Sequence, residues 1–378
     1  MLHIVCMALS FLVLFPIGIV LALRKSKLHS IVQSAAYLVF MAGYFLGHSI
    51  SGDWKVSAAH VSFQPFLLII VNSQVILGLV AKTIKSKASV SHYSLDLVAT
   101  LHRFGALLMI LGPYIQIMTG ITTTLGVCQP SEFGNCLAHL SMGSFFIFLG
   151  SWGLFQTVGL LKSTTWSRDR VTSIIILIFG FINTLTTHRW GYSWSHRDFQ
   201  HVSSGLMWIA AGLLCCMVEF KCKAYFQSNP VPALTLFLEG VQMIAHTQHS
   251  EFAIVIHKAF GWALILASLF HWMDLYRTRQ DEGSNTSSIV SVLSNVFCIL
   301  AGLYFMSGNS DAIWKASQQT DIDPGSYVTG ITAVGLIICF YVYSLAALYS
   351  KKEAIPNECY ARLESQDTLQ EMSGPIEK

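Results

Sequence analysis

The sequence predicts an all-α protein, a polytopic transmembrane helical bundle of about 11 helices with its N-terminus outside (lumenal or extracellular) and its C-terminus in the cytosol. Of the 378 residues, 53% are hydrophobic and only 11% are charged, with a mean hydropathy of +0.56. Soluble domains carry about 25% charged residues. Long apolar stretches recur along the chain, and helices satisfy their own backbone groups in lipid. No alternating strand pattern of a barrel accompanies them.

The predicted helices follow one another with short loops. Residues 1–23 have the features of a retained first helix rather than a signal peptide, because the basic residues follow the apolar run instead of preceding it. No repeat with a period of 20–50 residues is evident. The predicted spans are 3–23, 31–50, 61–81, 99–120, 138–161, 171–187, 201–220, 232–249, 256–275, 288–306 and 327–349.

The distribution of basic residues predicts the orientation. Lysine and arginine concentrate in the loops that follow every second helix, beginning with the first, which places those loops in the cytosol. The small net charge of +3 argues against nucleic-acid binding. The expected location is a secretory-pathway, vacuolar or plasma membrane. Only five basic residues fall on the opposite face: Lys55, Arg189, Arg197, Lys258 and Lys315.

Three regions are expected along the chain. Residues 1–125 form a four-helix domain, and residues 126–349 form a seven-helix domain rich in histidine. Residues 350–378 are polar without apolar periodicity and are expected to be a disordered cytosolic tail. In the predicted outer loop at 121–137, Cys128 and Cys136 either form a disulfide or stay free.

Four histidines stand at the ends of the first four predicted helices. Because the helices alternate in direction, His3 and His60 fall at one membrane face, and His29 and His102 fall at the other. Haem iron takes two facing imidazoles at one depth. The pattern therefore predicts two haems, with Gly105 leaving room for a porphyrin edge. The alternative is four interfacial histidines that contact headgroups and water.

The same region resembles the cytochrome b-561 family in its segments Leu2–Met7 and Phe15–Gly18, in His29 with Gln33, and in His60 and His102. That resemblance implies that His3, His60, His29 and His102 ligate two haems b in a bundle that moves electrons across a membrane. It covers about residues 1–125. The residues around an ascorbate site are not recognisable, so the electron donor is left open.

A second resemblance extends over nearly the whole chain. The segments Thr187–Gly191, His196–His201 and Ala245–His249 are similar to those of a fungal family of yeast transmembrane proteins. That family joins such an N-terminal region to a histidine-rich C-terminal half. The resemblance implies the architecture of a multispanning membrane protein rather than a particular chemistry.

The second half of the chain places further histidines at the outer face. Imidazoles combined with a carboxylate suit zinc, copper or iron. His246 and His249, three residues apart, are expected on one helical face. The alternative is a protonatable polar vestibule without metal. The candidate metal ligands are His188, His201, His246, His249 and His257.

One carboxylate falls inside the predicted membrane domain. Glu239 lies about two turns inside the eighth predicted helix, and an intramembrane carboxylate is a functional candidate by default. It is expected to carry a proton or a cation, or to pair with a polar neighbour such as Asn183 or Gln156.

The leading functional hypothesis is a transmembrane oxidoreductase embedded in lipid. A cytosolic reductant would supply electrons to the haem at His29 and His102, and an acceptor such as a ferric or cupric ion would be reduced at the outer face. Two other classes stay open. One is a metal or proton transporter or sensor that uses the outer histidines and Glu239. The other is a non-catalytic trafficking or scaffold protein.

Overall fold

The computed structural model describes residues 1–49, 58–86, 92–128, 133–157, 167–188, 190–222, 229–248, 250–280, 289–319 and 322–350. All regular secondary structure in these ranges is helical, which confirms the predicted all-α class. The helices are α1 (Leu2–Leu23), α2 (Leu28–His48), α3 (Ala58–Ser86), α4 (His92–Leu125), α5 (Phe133–Thr157), α6 (Arg168–Thr186), α7 (His196–Phe220), α8 (Val231–Ala245), α9 (Glu251–Gln280), α10 (Ile289–Ser307), α11 (Ser310–Gln319) and α12 (Pro324–Ser350).

Ten of the described helices are long and apolar enough to cross a membrane. The helix α8 is apolar but has only 15 residues, and α11 is a short polar helix that the sequence did not predict. The protein is therefore an integral membrane protein with a multispanning helical bundle. Its orientation stays a prediction.

The bounds of α8 correct one expectation. The predicted span ran through residue 249, but α8 ends at Ala245, and His246 has an extended backbone with φ −64° and ψ 123°. His246 therefore does not share a helical face with His249, which lies outside the described residues. Pro230 is the N-cap of this 15-residue helix, and His246 is its C-cap.

The described residues divide into two compact units, Met1–Gly126 and Val127–Ser350. In unit 1, α1 packs on α2 and α3 packs on α4. The first helix contains a π-helical stretch, Leu9–Leu14, immediately before Pro16. The buried core of unit 1 consists of Phe11, Phe15, Ala36, Phe40, Leu67, Val71 and Met109.

Unit 2 is built on three close helix crossings: α5 with α10, α6 with α7, and α8 with α9. Each crossing pairs two glycines reciprocally. A Cβ placed on Gly302 would lie 2.5 Å from the carbonyl oxygen of Gly143, and one placed on Gly240 would lie 2.7 Å from that of Gly261. The third pair is Gly180 with Gly205. Only glycine permits backbones to approach this closely.

A histidine precedes one glycine of each crossing by four residues. The motif His-x3-Gly occurs at His139 in α5, at His201 in α7 and at His257 in α9. The three histidines are 62 and 56 residues apart, so the spacing exceeds the about 20–50 residues of common repeat families. The crossings thus give unit 2 three equivalent helix pairs. We call the end of unit 2 at which α5, α7 and α9 begin the histidine end.

The loop before α5 is tied to that helix by a covalent bond. Cys128 and Cys136 form a disulfide, with their Cα atoms 5.4 Å apart. This is one of the two states that the sequence left open for the pair.

Candidate functional site

In unit 1, the first helical hairpin fixes two of the candidate haem ligands. The Nδ1 atom of His3 lies 2.7 Å from the carbonyl oxygen of Gly43, and Nδ1 of His29 lies 2.8 Å from that of Gly18. A carbonyl can only accept, so Nδ1 of each ring carries the proton. Each Nε2 is then an available ligand nitrogen, as in metal-bound histidines whose other nitrogen donates to a backbone carbonyl.

The second hairpin holds the other two candidates by different contacts. His60 Nδ1 lies 3.3 Å from the hydroxyl of Thr119. The Gln116 side-chain amide donates to the backbone carbonyl of His60 at 3.1 Å, and the Gln74 amide donates to that of His102 at 2.9 Å. Neither glutamine was predicted from the sequence as a site residue. Their signal was available, since each is a polar residue inside an apolar span.

The structure brings the predicted partners together. The ring centroids of His29 and His102 are 6.5 Å apart with the ring planes at 78°. Two imidazoles that share one metal through bonds of about 2 Å have centroids roughly 6 Å apart. His3 lies close enough to His60 for an electrostatic interaction between the rings. His29 and His102 thus form a ring pair at one end of unit 1, and His3 and His60 lie within electrostatic range of each other at the other end.

Glycines on the neighbouring helices make room for these rings. A Cβ on Gly47 would lie 2.7 Å from His3, one on Gly78 would lie 3.2 Å from His102, and one on Gly120 would lie 3.2 Å from His60. Each imidazole of these three therefore packs directly against a helix backbone. A larger residue at any of the three glycines would push the ring away.

Gly105 does not have the predicted role. A Cβ at this position would collide with the side chain of Gln74, so the glutamine fills the space expected for a porphyrin edge. Three buried atoms beside the histidines have no hydrogen-bond partner: Oε1 of Gln74, Nδ1 of His102 and Oε1 of Gln116. Orphaned buried polar atoms are rare in proteins. The atoms of Gln74 and His102 lie at one end of unit 1, and that of Gln116 lies beside His60 at the other, so each end has a buried polar atom available to a bound polar group.

In unit 2, three of the predicted metal ligands lie together at the histidine end. The ring centroids are 5.4 Å apart for His201 and His246, and 5.5 Å apart for His246 and His257, whose rings are parallel. All three side chains are buried. The Nδ1 of His257 lies 2.7 Å from the carbonyl of Ala253, and Nε2 of His246 is buried without a hydrogen-bond partner.

The predicted set of five does not form one site. His188 lies in a separate arrangement, with Nδ1 3.3 Å from the carboxylate of Asp198 and its ring stacked on Trp194. Asp198 also accepts from the backbone of Ser195 in the capping box that begins α7. His249 lies outside the described residues. Within the described ranges, no group of three histidines, cysteines or carboxylates is placed to hold a metal ion.

The burial of His246 makes the protein sensitive to acid. Burial, followed by the positive charges of His257 and His196, lowers the pKa of His246 from 6.5 to about 4. Between these two values, the unfolded chain binds a proton that the folded chain does not, so stability falls as the pH decreases through this window. We expect the thermal unfolding midpoint in detergent to decrease from about pH 7 to pH 5. A His246→Asn variant should show a smaller decrease.

The exposed His196 provides the control for this measurement. His196 contributes least to the lowered pKa of His246, so a His196→Asn variant should retain most of the dependence of the unfolding midpoint on pH. Identical slopes in the wild type and in His246→Asn would contradict the assignment to His246.

Glu239 is buried in α8 and is bound by donors from α7. The hydroxyl of Ser204 lies 2.9 Å from both carboxylate oxygens, and the indole nitrogen of Trp208 donates at 2.8 Å. Glu239 therefore pairs with polar neighbours, as one of the expected alternatives, but these are not Asn183 or Gln156. Asn183 instead donates to the backbone carbonyl of His201. Sequence spacing alone could not identify which helix faces Glu239.

Comparisons with known proteins place the chain among fungal membrane proteins. The family profile described as "Protein YTP1-like, C-terminal" matches residues 113–350, and a profile described as a domain of unknown function, DUF2427, matches residues 1–84. No solved structure matches the chain.

Relatives from two yeasts are similar to the chain. Protein YTP1 of Saccharomyces cerevisiae is 25% identical over 277 residues, which is 72% of this chain and 59% of that protein. An "uncharacterized membrane protein" of the same yeast is 27% identical over 174 residues, or 39% of this chain and 27% of that protein. An "uncharacterized membrane protein" of Schizosaccharomyces pombe is 20% identical over an alignment of 443 residues including gaps, which covers 83% of this chain and 87% of that protein. The matched part is thus less than two thirds of the length of the first two relatives. The chain belongs to the YTP1-like protein family.

Proposed function

We propose that unit 1 is a transmembrane electron carrier that holds two b-type haems, one between His29 and His102 and the other between His3 and His60. The observation that carries the proposal is the close approach of His29 and His102, with ring centroids 6.5 Å apart. These two residues are far apart in sequence and come from different hairpins. A pair at the opposite end of the unit completes the arrangement that transfer across a membrane requires.

The donor set fits the proposed group. Nδ1 of His3 and Nδ1 of His29 are held by backbone carbonyls, which orients both rings and leaves Nε2 to bind iron. Gln74 fixes the backbone of His102. A bound haem supplies reversible one-electron chemistry between ferric and ferrous iron. The protein itself contributes the orientation of the rings.

The proposed direction of transfer follows the predicted orientation. A cytosolic reductant would donate at His29 and His102, and an acceptor would be reduced at the opposite face. The proposed acceptor is a ferric or cupric ion.

A reduced-minus-oxidised absorbance spectrum of the purified protein tests this proposal. We expect the Soret and α bands of low-spin haem, with two haems per chain by extraction and quantification. A purified, folded protein without these bands would contradict the proposal. The non-catalytic scaffold hypothesis would then be favoured for unit 1.

A second candidate function concerns unit 2 alone: a metal transporter or sensor. It is favoured by the buried Nε2 of His246, which has no hydrogen-bond partner and lies between two other imidazoles. Zinc titrations of the wild type, of His246→Ala and of His188→Ala test it. We expect loss of binding only in His246→Ala, and equal binding in all three proteins would exclude this site.

A further inference from the structure

The three equivalent helix pairs of unit 2 reveal Glu239 as an exception. It immediately precedes Gly240, a crossing glycine of α8. The equivalent positions, before Gly180 in α6 and before Gly302 in α10, are occupied by Phe179 and Ala301. Both of those side chains are buried and apolar. A carboxylate therefore occupies a position that the other two pairs fill with hydrophobic residues.

The residues that bind Glu239 also differ from those at the equivalent positions of the other helix pairs. Ser204 immediately precedes the crossing glycine of α7, and Trp208 follows that glycine by three residues. The indole nitrogen of Trp208 and the hydroxyl of Ser204 both point to the carboxylate. The equivalent residues of α5 and α9 have no such groups. The position of Ser204 is occupied there by Met142 and Phe260. The position of Trp208 is occupied by Phe146 and Leu264.

The polar cluster of Glu239, Ser204 and Trp208 lies in the apolar interior of unit 2. The exposed fractions of the three side chains are 5%, 1% and 2%. Glu239 forms no ion pair among the described residues. A buried carboxylate without a cation is costly, and hydrogen bonds from two neutral donors offset only part of that cost. The group must therefore be neutralised by a proton or by a bound cation.

The composition of the cluster favours the proton. Oxygen-binding cations such as sodium, calcium or magnesium need several oxygen ligands. Here the indole nitrogen of Trp208 is a donor only, and it occupies one carboxylate oxygen. The hydroxyl of Ser204 lies within hydrogen-bond distance of both oxygens, so it can donate to the ionised acid or accept from the protonated acid.

We propose that Glu239 is a proton-binding site of unit 2, which takes up and releases a proton through the hydroxyl of Ser204. Ser204 lies one helical turn from His201, so along α7 the cluster is close to the histidine end of the unit. The proton that binds comes from water at that end, and it returns there when Glu239 ionises. This site concerns unit 2 alone and is independent of haem in unit 1.

Within the described ranges, the other helices packed on α8 bring no charged group into contact with the carboxylate. From α9, Gly261 and Ile265 lie against Gly240, and Ser268 donates to the carbonyl of Ala233. From α7, Glu239 is contacted by Ser204 and Trp208. Among the described residues, no side chain of α6 is hydrogen-bonded or ion-paired to it. Its protonation therefore depends on this cluster.

Infrared difference spectroscopy of the full chain in lipid nanodiscs tests the proposal. On a change from about pH 10 to about pH 6, over which exposed carboxylates stay ionised, the wild type should gain the carbonyl stretch of a protonated carboxylic acid, and this band should shift in D2O. Glu239→Gln, which keeps the shape of the side chain, should lack the band. Glu219→Gln is the matched control and should retain the band. Glu219 is also buried, with an exposed fraction of 3%, but it lies near the C-terminal end of α7.

A third variant measures the role of the donor. Trp208→Phe removes a hydrogen bond to the ionised carboxylate, so the appearance of the band should move to higher pH by about one unit. A band that persists in Glu239→Gln, or a wild type with no band that changes with pH, would overturn the proposal. An unchanged transition in Trp208→Phe would also overturn it, because the titrating carboxyl would then lie elsewhere.

Discussion

We expect a His29→Ala/His102→Ala variant to lose one of the two low-spin haem signals and half of the bound haem. The two rings form one pair, 6.5 Å apart, and no other described histidine lies in ring contact with either. Alanine has no ligand nitrogen, so a haem at this site would lose both residues that would hold it. The pair formed by His3 and His60, at the other end of unit 1, should retain its signal. Reduced-minus-oxidised spectra and haem extraction measure both quantities.

His48 supplies the matched control for this variant. It belongs to the same unit, but its ring is exposed and packs on Tyr44 with centroids 4.3 Å apart. A His48→Ala variant should retain both signals. Loss of both signals in the double variant, with its helical circular dichroism intact, would contradict the assignment of two separate pairs.

The second large effect is expected at a helix crossing of unit 2. In Gly302→Ala, the new Cβ would lie 2.5 Å from the carbonyl oxygen of Gly143 and 2.9 Å from Cγ1 of Ile147. Because a backbone atom cannot move aside as a flexible side chain can, α5 and α10 must separate. Overpacking of this kind costs about 1–3 kcal/mol. We expect a lower thermal unfolding midpoint and a lower yield of folded protein in detergent.

The same chemical change at Gly330 isolates the steric effect. Gly330 lies in α12, and a Cβ there would meet nothing within 4 Å. Gly330→Ala should be neutral or stabilising by up to about 1 kcal/mol, since alanine favours a helix over glycine. Equal unfolding midpoints for the two variants would contradict the close crossing of α5 and α10.

Much of the fold follows from the sequence because lipid imposes simple rules. A segment must be apolar and long enough to span, and its backbone must be helical, so the long spans from Leu2–Leu23 to Pro324–Ser350 were predictable. The pairing of His29 with His102 was predictable in depth, because alternating helices place the ends of alternate spans on one face. Their actual approach depends on helix packing, which the spans do not encode.

Other features depended on tertiary structure. The histidines of the second half share one face of the predicted membrane, but the early end of α8 and the capping box of α7 separate His188 from His246. The contacts of Glu239 depend on which helix crosses α8, and that is determined by paired glycines rather than by hydropathy. The motif His-x3-Gly at His139, His201 and His257 is the sequence signal that marks the three crossings.

Electron transfer across a sealed bilayer tests the central proposal most directly. The full chain is reconstituted into liposomes that contain ferricyanide, and an impermeant reductant is added outside. We predict reduction of the enclosed ferricyanide by the wild type and by His48→Ala, and no reduction above that of protein-free vesicles by His29→Ala/His102→Ala. Equal rates in the wild type and the double variant, or no reduction by haem-loaded wild type, would contradict the proposal.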